Sequence, residues 1–229
     1  MGDDLIMSNL QMKLKKCFVL HETLRKEMAG TAWVMPDLSD CARYVVQESA
    51  EVVDAEMRAK RNHARNNERH GGMFDVGLEC ADVIIMAHSG ILNVKEEMAV
   101  SALSSGDYKK ANAIGKAPMN THEMLSDVLV YSASSCLDEA NELSRMAARE
   151  AEYSKYIGFQ RYNALRAFSL SALAALAIME AVGLNPVEMV YQKCVDFATK
   201  HGERHQVGFG MKIVDKLTAL RDGFVLDED

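Results

Sequence analysis

The chain contains 229 residues, and its 33 acidic and 26 basic side chains give a formal net charge of −7 at neutral pH. This acidic balance argues against a protein that binds the nucleic-acid backbone, because such proteins usually carry a basic face. Only three prolines stand beside fifteen methionines, and runs of alanine, leucine, glutamate and lysine favour helix, so the composition all but excludes an all-β fold.

Hydrophobic residues recur at helical spacing along most of the chain, and this pattern predicts about seven helices. In chain order the helices cover about residues 5–29, 37–65, 74–92, 94–103, 120–151, 154–182 and 186–220. Residues 66–72 are predicted to form a loop, residues 104–118 an irregular segment, and the acidic tail after Leu220 a frayed end. No low-complexity linker divides the chain, so residues 1–229 are predicted to form one all-α helical-bundle domain.

The cysteine pattern and the chain start indicate a cellular location. Five cysteines are scattered singly with no C-x-x-C pair, which is typical of reduced thiols in a cytosolic protein rather than of disulfides or a zinc site. No basic region precedes an apolar stretch near the N-terminus, so no signal peptide is predicted and a cytoplasmic location is expected. The longest apolar segment, residues 164–184, is interrupted by Arg166 and Glu180 and is predicted to be a buried helix rather than a membrane span.

Two helices carry acids that interrupt apolar runs. Glu48 and Glu51 lie three residues apart on the second predicted helix, and Glu79 and Asp82 lie three apart on the third. Each pair therefore shares one helix face. Residues 76–92 are apolar in nearly every direction, so this third helix is predicted to be buried on most sides.

Four ionised carboxylates buried together would be too costly unless cations neutralised them. A set of oxygen ligands suits Mg²⁺ or Mn²⁺ rather than zinc. The simpler alternative is that each pair lies on a solvated rim, where such acids are common. Two other metal or phosphate chemistries are disfavoured, because the chain has neither the Glu-x-x-His of di-iron bundles nor a Walker-type phosphate loop.

At these residues the chain resembles the all-α nucleoside triphosphate pyrophosphohydrolases, the superfamily of the MazG-type enzymes and the dimeric dUTPases. The family pattern is E-x-x-E on one helix and E-x-x-D on the next. This chain has Glu48-x-x-Glu51 and, after twenty-seven intervening residues, Glu79-x-x-Asp82.

The resemblance extends toward the dimeric dUTPase and phage dCTPase–dUTPase branch and covers about residues 20–209. Upstream, a helix is followed by Gly-x-x-Trp, ending at Trp33; downstream, Arg204 begins an Arg-x-x-x-Gly-aromatic motif that ends at Phe209. The chain departs from the branch at two places. His21 stands where the branch usually has a base-reading glutamine, and Phe197-Ala198 stand where it has a Lys-Asn pair.

The resemblance implies a metal-dependent hydrolase that converts a deoxynucleoside triphosphate and water to the monophosphate and pyrophosphate. It implies two or more Mg²⁺ ions, or Mn²⁺, at the four acids, with Glu48 and Glu51 as catalytic residues and Glu48 preferred as the base. A triphosphate carries about four negative charges, which such ions and basic side chains would neutralise. Candidates for holding the substrate are His21, Trp33, Lys193, Lys200, Arg204 and Phe209.

The identity of the substrate and the activity itself stay open. Pyrimidine nucleotides of the dUTP or dCTP type are favoured by the motifs, and purine nucleotides come second because the uracil-reading elements are altered. A non-catalytic helical binding or assembly module that keeps the fold is the other alternative. The resemblance also implies a homodimer or a dimer of dimers, and the alanine-rich segment 169–181 offers small residues for close packing between helices.

Overall fold

The computed structural model describes residues 2–31, 35–64, 72–94, 103–115 and 123–226. Every regular element within these ranges is helical, which confirms the predicted all-α bundle. The helices are α1 (Gly2–Glu27), α2 (Leu38–Ala64), α3 (Met73–Val94), α4 (Ser105–Gly115), α5 (Glu123–Ala147), α6 (Glu150–Tyr153), α7 (Ile157–Ala181), α8 (Pro186–Phe197), α9 (Glu203–His205) and α10 (Phe209–Leu226), with a π-helical segment, Ala198–Gly202, between α8 and α9.

The predicted irregular segment 104–118 is wrong over most of its length, because α4 occupies Ser105–Gly115. The reason is local. The Ser104 amide donates to Asp107 Oδ2 at 2.8 Å, and the Asp107 amide lies 3.3 Å from Ser104 Oγ. This reciprocal arrangement caps the first turn of a helix. Most of the predicted helix 94–103 lies outside the described residues.

The predicted last helix, 186–220, is broken in the structure. Asn185 caps α8, and its side chain accepts a hydrogen bond from the Val187 amide at 3.0 Å. The chain then passes through the π segment and α9 and turns at Gly208, whose φ of +75° favours glycine. The predicted frayed tail after Leu220 is also wrong as far as Leu226, because α10 continues to that residue.

Four long helices form the centre of the molecule. Helix α2 packs against α3 and α5, and α7 packs against the same two helices, so the four close into a bundle. Helix α1 lies outside this bundle with α4, α8 and α10, and α8 also packs against α3. One cluster of buried apolar side chains extends from Leu10 on α1 to Leu217 on α10.

Helix α7 is buried along most of its length. Nearly all of its side chains from Ala164 to Met179 are inaccessible to solvent. The alanine-rich segment therefore packs against helices of the same chain, and the expectation that it offers small residues for contact with a second chain is wrong. By length and composition α7 could also cross a membrane, but most of its apolar stretch is buried, as in a core helix.

Candidate metal centre

The packing of α2 against α3 brings three of the four predicted acids together. Glu48 and Glu51 lie one turn apart on α2, and Glu79 faces them from α3. One carboxylate oxygen from each of these residues lies within 4.8 Å of the others. Glu79, twenty-eight positions after Glu51 in sequence, thus converges with the two acids of α2 on a volume that one cation could fill.

Asp82 is separated from this group of three by an ion pair. The Lys193 ammonium, which reaches across from α8, donates a hydrogen bond to Asp82 Oδ2. About a quarter of each side chain is exposed, 23% for Lys193 and 25% for Asp82. The second motif therefore places its two acids in different surroundings, although they are one turn apart on the same helix.

The acids lie at the edge of the bundle rather than in its interior. Helix α3 is buried on most sides, as its sequence predicts. Glu79 and Asp82 occupy the less buried stripe of the helix, on which Asp75 and Met86 also lie. Glu48 is half-buried and Glu51 is exposed. The centre is therefore open to solvent on one side, and the expectation of four fully buried carboxylates is wrong.

Burial and mutual repulsion weaken the acidity of the cluster. Burial, together with the charges of Asp82, Glu51 and Glu79, raises the pKa of Glu48 to about 7 against the opposing charge of Lys193. Burial is the chief cause of a raised pKa at Glu79, and the ammonium of Lys193 offsets part of that rise. Carboxylates that resist ionisation because of one another gain from a cation placed between them.

Asp82 and Lys193 respond to each other. Burial raises the pKa of Asp82, and the hydrogen bond and charge of Lys193 counteract part of that rise. The pKa of Lys193 is raised overall: burial would lower it, but the Asp82 hydrogen bond and the charges of Asp82, Glu79 and Glu48 dominate. Lys193 is thus held in its charged form by the acids around it.

Three further residues act on the centre and were not found from the sequence. The Gln47 side-chain amide donates to Glu51 at 3.1 Å. Arg58 pairs with Asp54 and places positive charge near Glu79. Asp196 adds negative charge near Asp82. A helical plot of α2 could have shown that Arg58 lies two turns after Glu51 on the same face, whereas the effect of Asp196 depends on how α8 packs on α3.

The structure places His21 in the core. Only 1% of the residue is exposed, and its Nδ1 atom lies 2.9 Å from Nδ1 of His88 on α3. The His88 ring stacks on Phe18 with the ring centres 4.2 Å apart. Burial lowers the pKa of His21 to about 4, with a further contribution from Arg25. In this conformation His21 presents no surface to a ligand.

The other predicted substrate residues lie at the end of α8 and beyond it. Lys200 in the π segment and Arg204 in α9 are exposed. Phe209 begins α10, is half-buried, and meets the His205 ring edge to face. The turn between them is tied by Glu203, whose carboxylate accepts from the amides of Gly208 and Gly210 at 2.9 and 3.1 Å. Trp33 lies outside the described residues.

The donors of this centre can be compared with what metal ions prefer. Glu48, Glu51 and Glu79 offer carboxylate oxygens only, and hard divalent cations such as Mg²⁺ and Mn²⁺ take oxygen ligands in this way. Neither Glu48 nor Glu79 makes a hydrogen bond or ion pair with any residue that the structure describes, so both carboxylates are available. The donor set therefore fits such an ion.

The fold and this centre define a class of protein in structural terms: an all-α bundle with an open cluster of carboxylates contributed by two adjacent helices. Compared with known proteins, the chain matches no family model, no curated protein and no solved structure.

Proposed function

We propose that this chain is a metal-dependent nucleoside triphosphate pyrophosphohydrolase that converts a deoxynucleoside triphosphate and water to the monophosphate and pyrophosphate. The observation that carries the proposal is the convergence of Glu48, Glu51 and Glu79 from two packed helices. The E-x-x-E and E-x-x-D pattern resembles that of the all-α pyrophosphohydrolases, and this resemblance implies a cluster of acids on two neighbouring helices. In this chain α2 and α3 of the four-helix bundle carry the acids.

The residues of the centre have separate roles in this proposal. Glu48, Glu51 and Glu79 would hold Mg²⁺ or Mn²⁺, with Asp82 as a further ligand in the complete site. Bound divalent ions would neutralise phosphate charge and make a water molecule more acidic. Glu48 is the preferred acceptor of the proton of the attacking water, a choice that rests on the resemblance. Lys193 would hold phosphate oxygens.

Pyrimidine nucleotides of the dUTP or dCTP type are the first choice of substrate, on the resemblance of the flanking motifs. Purine deoxynucleotides remain the second choice. The burial of His21 supports keeping purine deoxynucleotides as candidate substrates, because the residue at the base-reading position is directed into the core. The exposed Lys200 and Arg204 remain candidates for holding the phosphates.

We propose that the protein is cytoplasmic and forms a homodimer or a dimer of dimers, without a nucleic-acid or membrane partner. Its interface must use residues other than the alanine-rich part of α7, which is internal. Light scattering at micromolar concentration is expected to give at least twice the chain mass of 25.4 kDa. A monomer would contradict this part of the proposal.

The decisive experiment is a screen of pyrophosphate release from the eight common ribonucleoside and deoxyribonucleoside triphosphates and from dUTP, with Mg²⁺ and with a chelator. We expect Mg²⁺-dependent release that is lost in Glu48→Gln and retained in Glu142→Gln. The control residue is a glutamate on α5 that pairs with Arg145 outside the cluster. Metal binding without release of pyrophosphate from any nucleotide would favour the non-catalytic module instead.

A further inference from the structure

Among the described residues, Lys193 is the cation that forms an ion pair with an acid of the centre. Its ammonium hydrogen-bonds Asp82, and its charge acts on Glu48 and Glu79 as well. The lysine comes from α8, a helix separate from the two that carry the acids. Its position therefore follows from the packing of α8 on α3.

One ammonium is an incomplete substitute for a divalent ion at this place. It contacts Asp82, while Glu48 and Glu79 have no hydrogen bond or ion pair to any described residue. Glu51 accepts a hydrogen bond from the neutral side-chain amide of Gln47. Of the four carboxylates, that of Asp82 alone has an ion pair to a described residue, and a divalent cation seated among the four would compete with Lys193 for Asp82.

We propose that Lys193 is a built-in counter-ion of the metal-free protein, which a divalent cation displaces from Asp82, so that metal binding releases the ammonium for an anionic ligand. This inference rests on the metal site of the proposed function but not on the hydrolytic reaction. It gives the order of events at the site: the metal enters first, and the positive charge that it frees then attracts the phosphates.

The partly exposed position of Lys193 is compatible with such a movement. The side chain is neither enclosed in the core nor free on the surface, and the long lysine stem can carry its ammonium to a new position without a change in α8. Lys216 on α10, which forms an ion pair with Glu27 outside the acidic centre, provides a matched control for substitution and chemical labelling.

The first test measures binding of Mn²⁺ alone, by electron paramagnetic resonance of the free ion. Lys193→Met is expected to bind Mn²⁺ about tenfold more tightly than the unsubstituted protein, a coupling within the usual range for contacting residues. Lys216→Met, which removes an ion pair elsewhere, is expected to bind Mn²⁺ with unchanged affinity. Equal or weaker binding by Lys193→Met would overturn the proposal.

A double-mutant cycle separates displacement from a general effect of charge. If Lys193 competes with the metal through Asp82, Lys193→Met should have little effect when Asp82→Asn is already present. An equal gain in Mn²⁺ affinity in both backgrounds would mean that Lys193 acts only as a distant charge, and that result would also overturn the proposal.

The second test uses the unsubstituted protein and so does not depend on the folding of any variant. Lysines are acetylated with an amine-reactive ester and quantified by peptide mass spectrometry with and without saturating Mn²⁺. Labelling of Lys193 is expected to rise several-fold with Mn²⁺ while that of Lys216 stays the same. Unchanged or reduced labelling of Lys193 would contradict its release.

The two proposals can fail separately. Mn²⁺ binding with increased labelling of Lys193, but without hydrolysis of any nucleotide, would support the displacement and reject the hydrolase. Absence of Mn²⁺ binding at millimolar concentration in both the unsubstituted protein and Lys193→Met would overturn the displacement together with the metal site.

Discussion

Asp82 hydrogen-bonds the ammonium of Lys193, whereas Glu79, one turn earlier on the same helix, has no such partner among the described residues. The two acids of one sequence motif are therefore not equivalent in the metal-free protein. Burial chiefly raises the pKa of Glu79, and the charges of Asp82 and Glu51 add to the rise, whereas Asp82 compensates a positive charge on a neighbouring helix.

The first prediction concerns stability without metal. Glu79→Gln should leave the melting temperature unchanged or raise it, because the substitution removes a carboxylate from a repulsive group. Asp82→Asn should lower stability by about 1 kcal/mol, since Lys193 loses its partner but is partly solvated. Thermal melts in a chelator would measure both, and shifts of the same sign would contradict the difference described above.

The second prediction concerns activity. Glu79→Gln should lower kcat for pyrophosphate release by at least about a hundredfold, the lower range for loss of a principal electrostatic contribution to catalysis. Added Mg²⁺ should also stabilise the variant less than it stabilises the unsubstituted protein, because one charged ligand is missing. A variant that hydrolyses triphosphates at the normal rate would remove Glu79 from the metal site.

The third prediction concerns the buried pair His21 and His88, whose pKa values are both lowered by burial. Below pH 6.5 the unfolded chain binds a proton at His21, while the folded chain does not do so until about pH 4. Stability present above pH 6.5 is therefore lost as the pH falls toward 4, by about 3 kcal/mol at most for His21.

His21→Gln should reduce this acid-dependent loss, because an amide does not titrate in this range and can still hydrogen-bond His88. Urea unfolding of both proteins between pH 7 and pH 4 would measure the difference. The same pH dependence in both would mean that other groups are responsible. Unchanged selectivity among nucleotide bases in this variant would agree with the buried position of His21.

The fourth prediction concerns the contact between α3 and α7. A Cβ atom at Gly90 would collide with the ring of Phe168, which is fully buried. Gly90→Ala should therefore destabilise the protein by about 1–3 kcal/mol from overpacking, despite the better helix propensity of alanine. Gly158→Ala on α7, where nothing lies near the added atom, is the matched control.

A second variant checks the cause of that effect. Phe168→Leu removes part of the ring that meets Gly90 but leaves a cavity, so it should destabilise the protein by itself. Combined with Gly90→Ala, the loss should be smaller than the sum of the two single losses. Additive losses would show that the two residues do not interact.

Local patterns in the sequence predicted most of the helices and the apolar character of α3, because helical periodicity depends on neighbours three and four positions apart. The same rule placed Glu48 beside Glu51 and Glu79 beside Asp82. The prediction that residues 104–118 are irregular failed at α4, although the helix-start signal there is local. Ser104 and Asp107 form a capping box in which Asp stands at the position more often held by Glu or Gln.

The broken end of the chain was harder to predict. Residues 198–210 contain no proline, and the three glycines among them, Gly202, Gly208 and Gly210, are the residues that disfavour helix most. Helix propensity alone does not say which glycine ends a helix. Gly202 and Gly210 pack so closely that a side chain on either would meet the other's backbone or that of Ala198, a contact that exists only after the chain has folded back on itself.

The sequence by itself therefore determined the all-α fold, the two acid pairs and the helix face that each pair occupies, since these follow from composition and from short-range spacing. Only the tertiary structure decided that Glu48, Glu51 and Glu79 converge. It also decided that Asp82 forms an ion pair with Lys193, and that His21 is directed into the core toward His88. These contacts join residues that are 28 to 111 positions apart. The angle and register at which helices pack set such distances, and no local pattern encodes them.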